Sequence, residues 1–208
     1  MELNKDGYGI LMTDLTDQEK YYQNRGWIKI GDGTRSPTYD TTTHATNIIE
    51  YEHHEVHSGS FFRIHINKDV ANGGTFNVCF TTPNTTKWLH LTFGIESELE
   101  CQTEVYEDIT SFTGGTGITP LNANRNSLTA SGVTDMAYDA TPTAGSPVLL
   151  DMRVIGSGKN QGGGTRSSNE WILKQGKIYY VNITNQATGA TNEVNIDLEW
   201  YEHTNKVA

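Results

Sequence analysis

Two cysteines in 208 residues, Cys79 and Cys101, are too few for a disulfide framework. Both sit in apolar surroundings (FNVCF and ELECQ) that suit reduced, buried thiols. Basic residues are also scarce: 15 Lys and Arg stand against 25 Asp and Glu, a formal charge of -10. That field repels phosphate backbones, and no segment gathers enough Lys and Arg to reverse it locally, so nucleic acid is not an expected partner. The chain lacks an apolar run of about eighteen residues and a charged-then-apolar leader. A membrane span and a secretory signal are therefore not expected, and the chain reads as a soluble protein. Hydrophobic residues make up only 35%, which argues against a helical bundle. The abundance of Gly, Thr and Asn fits short strands joined by polar loops.

What the sequence does have is a period of two. Successive side chains of a strand point to opposite faces, so a half-buried strand alternates apolar with polar residues. Phe62, Ile64 and Ile66 alternate with Arg63, His65 and Asn67, and Phe76, Val78 and Phe80 with Thr75, Asn77 and Cys79. Leu89, Leu91, Phe93 and Ile95 follow the same rule against His90 and Thr92. Between Glu98 and Asp108, Leu99, Cys101, Thr103 and Val105 oppose an acidic face of Glu98, Glu100 and Glu104. Later strands are predicted over 148–155, 171–173, 177–184 and 193–201. About eight antiparallel strands in one all-β sandwich account for residues 47–208.

Residues 1–46 read as an N-terminal arm or flank, with a short helix over 17–24, an apolar run Trp27-Ile28-Lys29-Ile30 and a Thr-rich connector. Two long polar connections, 109–145 and 156–169, are expected to be contact-bearing loops, because loops on a rigid sandwich carry most of the function.

Several residue groups invite chemistry. GSGK, around Lys159, lacks the upstream glycine and the following Ser or Thr of a phosphate loop, so it reads as a flexible loop. Glu52, His53, His54, Glu55 and His57 hold ligand-type side chains, and on a strand His53, Glu55 and His57 would share a face. A structural site would need a fourth ligand, and a solvated polar face or a subunit contact explains them better. His65 and His90, on neighbouring predicted strands, form a candidate cross-strand pair for pH sensing or metal at an oligomer axis. The carboxylates Glu96, Glu98, Glu100, Glu104, Glu107 and Asp108 have the spacing of a glycosidase pair, but on a polar face none gains the burial a general acid needs. No Gly-x-Ser-x-Gly elbow is present. Trp88, Trp171, Trp200, Tyr179, Tyr180 and Tyr201 suit either a sugar-stacking platform or core packing.

The blocks SGSFFRIHINKDVANGG, NVCFTTPNTTKWLHLTFGIESELE, YED, GITPLNANRNS, RSSNEWILKQGKIYYVNITN and IDLEWYEH, spread from Ser58 to His203, resemble a group of small virion structural proteins of tailed bacteriophages. These are the head decoration or cement proteins encoded near the capsid genes. The resemblance implies a jelly-roll-like domain that assembles as a homotrimer on the outside of the capsid. Its partners would be the major capsid protein and itself, with no enzymatic activity, catalytic residue, cofactor or metal. It also implies synthesis in the bacterial cytoplasm and a place on the virion surface. Contacts with capsid or neighbouring subunits are expected from Lys159, Arg166 and Arg125, and from Trp27, His65 and His90. A receptor- or carbohydrate-binding module on a head fibre or tail is the alternative.

Overall fold

The computed structural model of the chain describes residues 2–3, 10–11, 51–156 and 170–204. The expected helix at 17–24, Trp27, and the loop with Lys159 and Arg166 lie outside the described residues. The chain clusters into two compact units, Met1–Glu50 and Tyr51–Ala208. In the first, β1 (Glu2–Leu3) pairs antiparallel with β2 (Ile10–Leu11).

The second unit opens with one short helix, α1 (Tyr51–Ser58). Four strands follow: β3 (Phe61–Val70), β4 (Thr75–Thr81), β5 (Lys87–Ser97) and β6 (Cys101–Glu107). After them come five short strands, β7 (Ser111–Thr113), β8 (Thr116–Gly117), β9 (Leu121–Asn122), β10 (Thr134–Tyr138) and β11 (Thr141–Thr143). The chain closes with β12 (Val148–Ile155), β13 (Trp171–Leu173), β14 (Ile178–Asn185) and β15 (Asn192–Thr204).

One sheet has the order β13-β5-β15-β3-β9 and the other β12-β6-β14-β4-β10-β8. Setting aside the inserted strands β7 to β11, the eight principal strands pair in nested fashion. The first pairs with the last (β3 with β15), the second with the seventh (β4 with β14), the third with the sixth (β5 with β13) and the fourth with the fifth (β6 with β12). Nested antiparallel pairing spread over two sheets is jelly-roll connectivity. The expected all-β, jelly-roll-like sandwich of about eight antiparallel strands is the observed fold.

The alternation explains why the sheets face each other. Val194, Ile196, Leu198 and Trp200 of β15 are buried with Leu89, Leu91, Phe93 and Ile95 of β5, and they meet Phe76, Val78 and Phe80 of β4 and Tyr179, Val181 and Ile183 of β14 in one core. Removing these side chains from water is the main driving force for the fold.

Two expectations need correction. Segment 109–145 is not a loop: β8 and β10 extend the six-stranded sheet, β9 extends the other, and β7 pairs with β11 as a separate ribbon. Strands of two to five residues are too short to show a period in sequence. Gly115 lets the ribbon close, because at φ 79° a Cβ there would lie 2.5 Å from the Tyr138 carbonyl oxygen. Nor is the outer face of β4 wet. Cys79 packs there in a second small core with Ile109, Ala137 and Ala140, flanked by Tyr106, Phe112, Ile178 and Tyr180. Both cysteines are buried free thiols, as expected. Among the described residues, no helix is long and apolar enough to cross a membrane.

Candidate functional site

Two surfaces of the sandwich stand apart from ordinary polar strand faces. The first is the outer face of the five-stranded sheet, at the end nearest α1. The registers Tyr201↔His90 and His203↔Trp88, with Ile172 opposite His90, put all five side chains on that face. The His90 ring stacks on Tyr201 with centroids 4.5 Å apart and lies 4.5 Å from the His203 ring. Its Nδ1 is 2.6 Å from Glu170 Oε1 and 2.9 Å from the Tyr201 hydroxyl, which itself donates to Glu170 Oε1 at 2.5 Å. The Nε2 atoms of His90 and His203 are 2.8 Å apart. Burial lowers the His90 pKa, and its hydrogen bond to Glu170 pulls the other way.

The second surface is β12. Its register sets Asp151 against Val105 and Arg153 against Thr103, which face inward, and Met152 against Glu104 and Val154 against Gln102, which face outward. The usual polarity of a sandwich strand is therefore inverted over these residues. Met152 and Val154 are 57% and 62% exposed, and Val148 and Leu149 are about half exposed. An irregularity in the ladder between Leu149 and Asp151 allows Leu150 to pack against the core while its neighbours do not. Asp151 accepts from Arg153 at 2.6 Å, so the two inward charges satisfy each other.

The acidic run is split by the fold. Glu96 and Glu98 are exposed, Glu100 and Glu104 half-buried, and only Glu107 is buried. Burial pushes the Glu107 carboxyl upward, but hydrogen bonds from Lys174 Nζ and the Tyr179 hydroxyl, both 2.6 Å, outweigh it and hold the pKa below the usual carboxylate value. A residue kept ionised in this way is the reverse of a general acid. Asp108 bonds Lys177 at 2.9 Å on the exposed side.

The histidines do not group as the sequence suggests. His65 and His90 are not on neighbouring strands, because β15 lies between β3 and β5. His65 instead meets Asp197 at 2.7 Å, and His90 meets Tyr201 and His203. The partner that sequence reasoning missed is His203, whose position at the far end of the longest strand gives no local signal of closeness to residue 90. The 52–57 cluster is helical, not a strand. His53 and His57 therefore share a face one turn apart, with Nε2 atoms 3.0 Å from each other, while Glu55 turns inward and is buried. Among the described residues, no group of three or more His, Cys, Asp or Glu is placed to hold a metal ion. Arg125 is exposed on the turn after β9, with its guanidinium 3.5 Å from the Asn122 carbonyl oxygen.

Of the six aromatic residues that suit a sugar platform, Trp200 and Tyr179 belong to the core and Tyr180 packs in the second core. Trp171 packs partly against the core from β13. Trp88 remains at the surface, on the same sheet face as the buried Tyr201. An open cleft of about 480 Å³ lies against the 109–145 insertion, lined by Phe112, Asp135, Met136 and Ile178 among others. Comparison with protein-family models, with curated proteins and with solved structures gave no significant match.

Proposed function

We propose that this chain is a non-enzymatic decoration protein of a tailed-phage head, which binds the outside of the capsid as a homotrimer and cements the shell. The inverted strand β12 carries the reading. Exposed, unblunted edge strands invite pairing with another chain, and monomeric proteins shorten or charge them. Here the other sheet edges, β8, β9 and β13, are two or three residues long among the described residues, whereas β12 has eight and is blunted only by its ladder irregularity and the inward Asp151 and Arg153. It turns Met152 and Val154 outward, as a strand built for an intersubunit contact does. A trimer assembled in this way presents each docking loop three times, and multivalency then strengthens weak individual contacts with a repeating capsid lattice. The resemblance of the Ser58–His203 blocks to virion proteins supplies the setting, with the major capsid protein as partner.

Quantitative mass spectrometry of washed virions tests this reading. Copies in fixed ratio to the major capsid protein are expected, and virions free of the chain would end it. The surface ring of Trp88, 37% exposed beside Tyr201 and His90, favours the carbohydrate-binding alternative instead. Saturable binding on a glycan array that is lost in Trp88→Ala would decide for that alternative.

A further inference from the structure

Helix α1 carries two imidazoles that the docking role does not use. His53 and His57 are four residues apart, so one helical turn sets them on the same exposed side. Their Nε2 atoms converge to 3.0 Å, with the ring centroids 4.5 Å apart and the ring planes crossed at 68°. Beyond this mutual contact, neither ring has a partner among the described residues. The hydrogen-bond balance of the pair therefore closes. A neutral imidazole has one donor and one acceptor nitrogen, so one ring gives its Nε2–H to the lone pair of the other. Moving that proton to the unengaged Nδ1 of the same ring aims two lone pairs at a common point.

We propose that His53 and His57 form a chelating site for a hydrated divalent late transition-metal ion, with the two Nε2 atoms as ligands and water in the remaining positions. The spacing suits such an ion. With metal–nitrogen distances of about 2.0–2.1 Å, nitrogens at a right angle stand about 2.9 Å apart and tetrahedral ones about 3.4 Å. The observed 3.0 Å matches adjacent corners of a square-planar or octahedral ion, the geometries of Ni²⁺ and Cu²⁺. The fold also holds the pair in place. Glu55 turns inward from the same helix, is buried, and accepts from Ser60 Oγ. The Gly59 and Ser60 amides close the last turn on the Val56 and Glu55 carbonyl oxygens, both at 3.1 Å, and Asn124 Nδ2 donates to the His57 carbonyl oxygen at 3.2 Å. Ligands fixed before binding lose little freedom when the ion arrives. The C-terminal turn of a helix favours positive charge, and so does a chain with a formal charge of -10.

The test is calorimetric titration of the full chain with Ni²⁺, in a background carrying His203→Gln to remove the other close histidine pair. One Ni²⁺ per chain is expected. The second imidazole coordinates as a tethered ligand, so His53→Ala and His57→Ala should each weaken binding by about tenfold or more. Both side chains are exposed, and the circular-dichroism spectrum should not change. Absence of Ni²⁺ binding would overturn the proposal and leave the shared proton as all that joins the rings. Uptake unaffected by either substitution would overturn it as well, and would place the ion at another histidine such as His65.

Discussion

Arg153 of β12 sets its guanidinium carbon 5.4 Å from the ring centroid of Phe93, a core residue of the opposite sheet. An arginine at this position belongs to the inward face, so its apolar neighbours Met152 and Val154 must point away from the core. The cation–π contact and the bond to Asp151 anchor the strand with that polarity. Met152→Lys and Val154→Lys should therefore leave the fold intact, with stability changed by no more than about 0.5 kcal/mol. Both should convert the proposed trimer to monomer, as measured by light scattering after size exclusion. A trimer that survives both substitutions places the interface elsewhere.

The buried pair of Tyr179 and Glu107 closes one end of the core. The Tyr179 hydroxyl donates to Glu107 at 2.6 Å and accepts from the Lys174 amide at 2.9 Å. Tyr179→Phe removes both bonds and little volume. Hydrogen bonds to charged groups contribute about 1.5–3 kcal/mol, so a loss of that size is expected from urea unfolding, with the midpoint shifted and the slope unchanged.

The same carboxylate makes stability depend on pH. Because the folded pKa of Glu107 lies below its ordinary value of 4.5, its contribution is fully present above about pH 4.5 and fades as pH falls through the folded value. Unfolding midpoints measured between neutral pH and pH 3 should show this decline. It should be shallower in Glu107→Gln, which titrates nothing at that position.

Glu202 is a second buried carboxylate with a different task. It accepts from Ser131 Oγ at 2.6 Å, from the Gly132 amide and from Trp200 Nε1 at 3.1 Å, tying the segment before β10 to the last strand. Glu202→Ala leaves these donors without their acceptor, at a cost of about 3 kcal/mol. Limited proteolysis should then cut within residues 124–132 faster than in the unaltered chain.

The principal strands were legible because each of β3, β5 and β15 buries one face against the core, and an alternating sequence reports that geometry directly. Their nested pairing was not legible, since it depends on contacts between residues far apart in the chain, such as Phe62 with Trp200. The insertion between β6 and β12 was hidden for another reason. Asn122 shapes it through side-chain bonds to the Gly59 and Thr129 carbonyl oxygens, and such contacts leave no periodic trace. At the His90 site, the residue at position 90 could be singled out from sequence, but His203 and Glu170 reach it only through the sheet order β13-β5-β15. The strand over VLLDMRVI was expected, yet which of its side chains faced the core was settled by pairing with β6.

The sharpest test of the proposed docking role is electron cryo-microscopy of phage particles assembled with this chain present. The account predicts sandwich-shaped density in groups of three on the outer shell surface, with the β12 strands at the contacts between copies. Density confined to the tail or to fibres, or a bare shell, would contradict it.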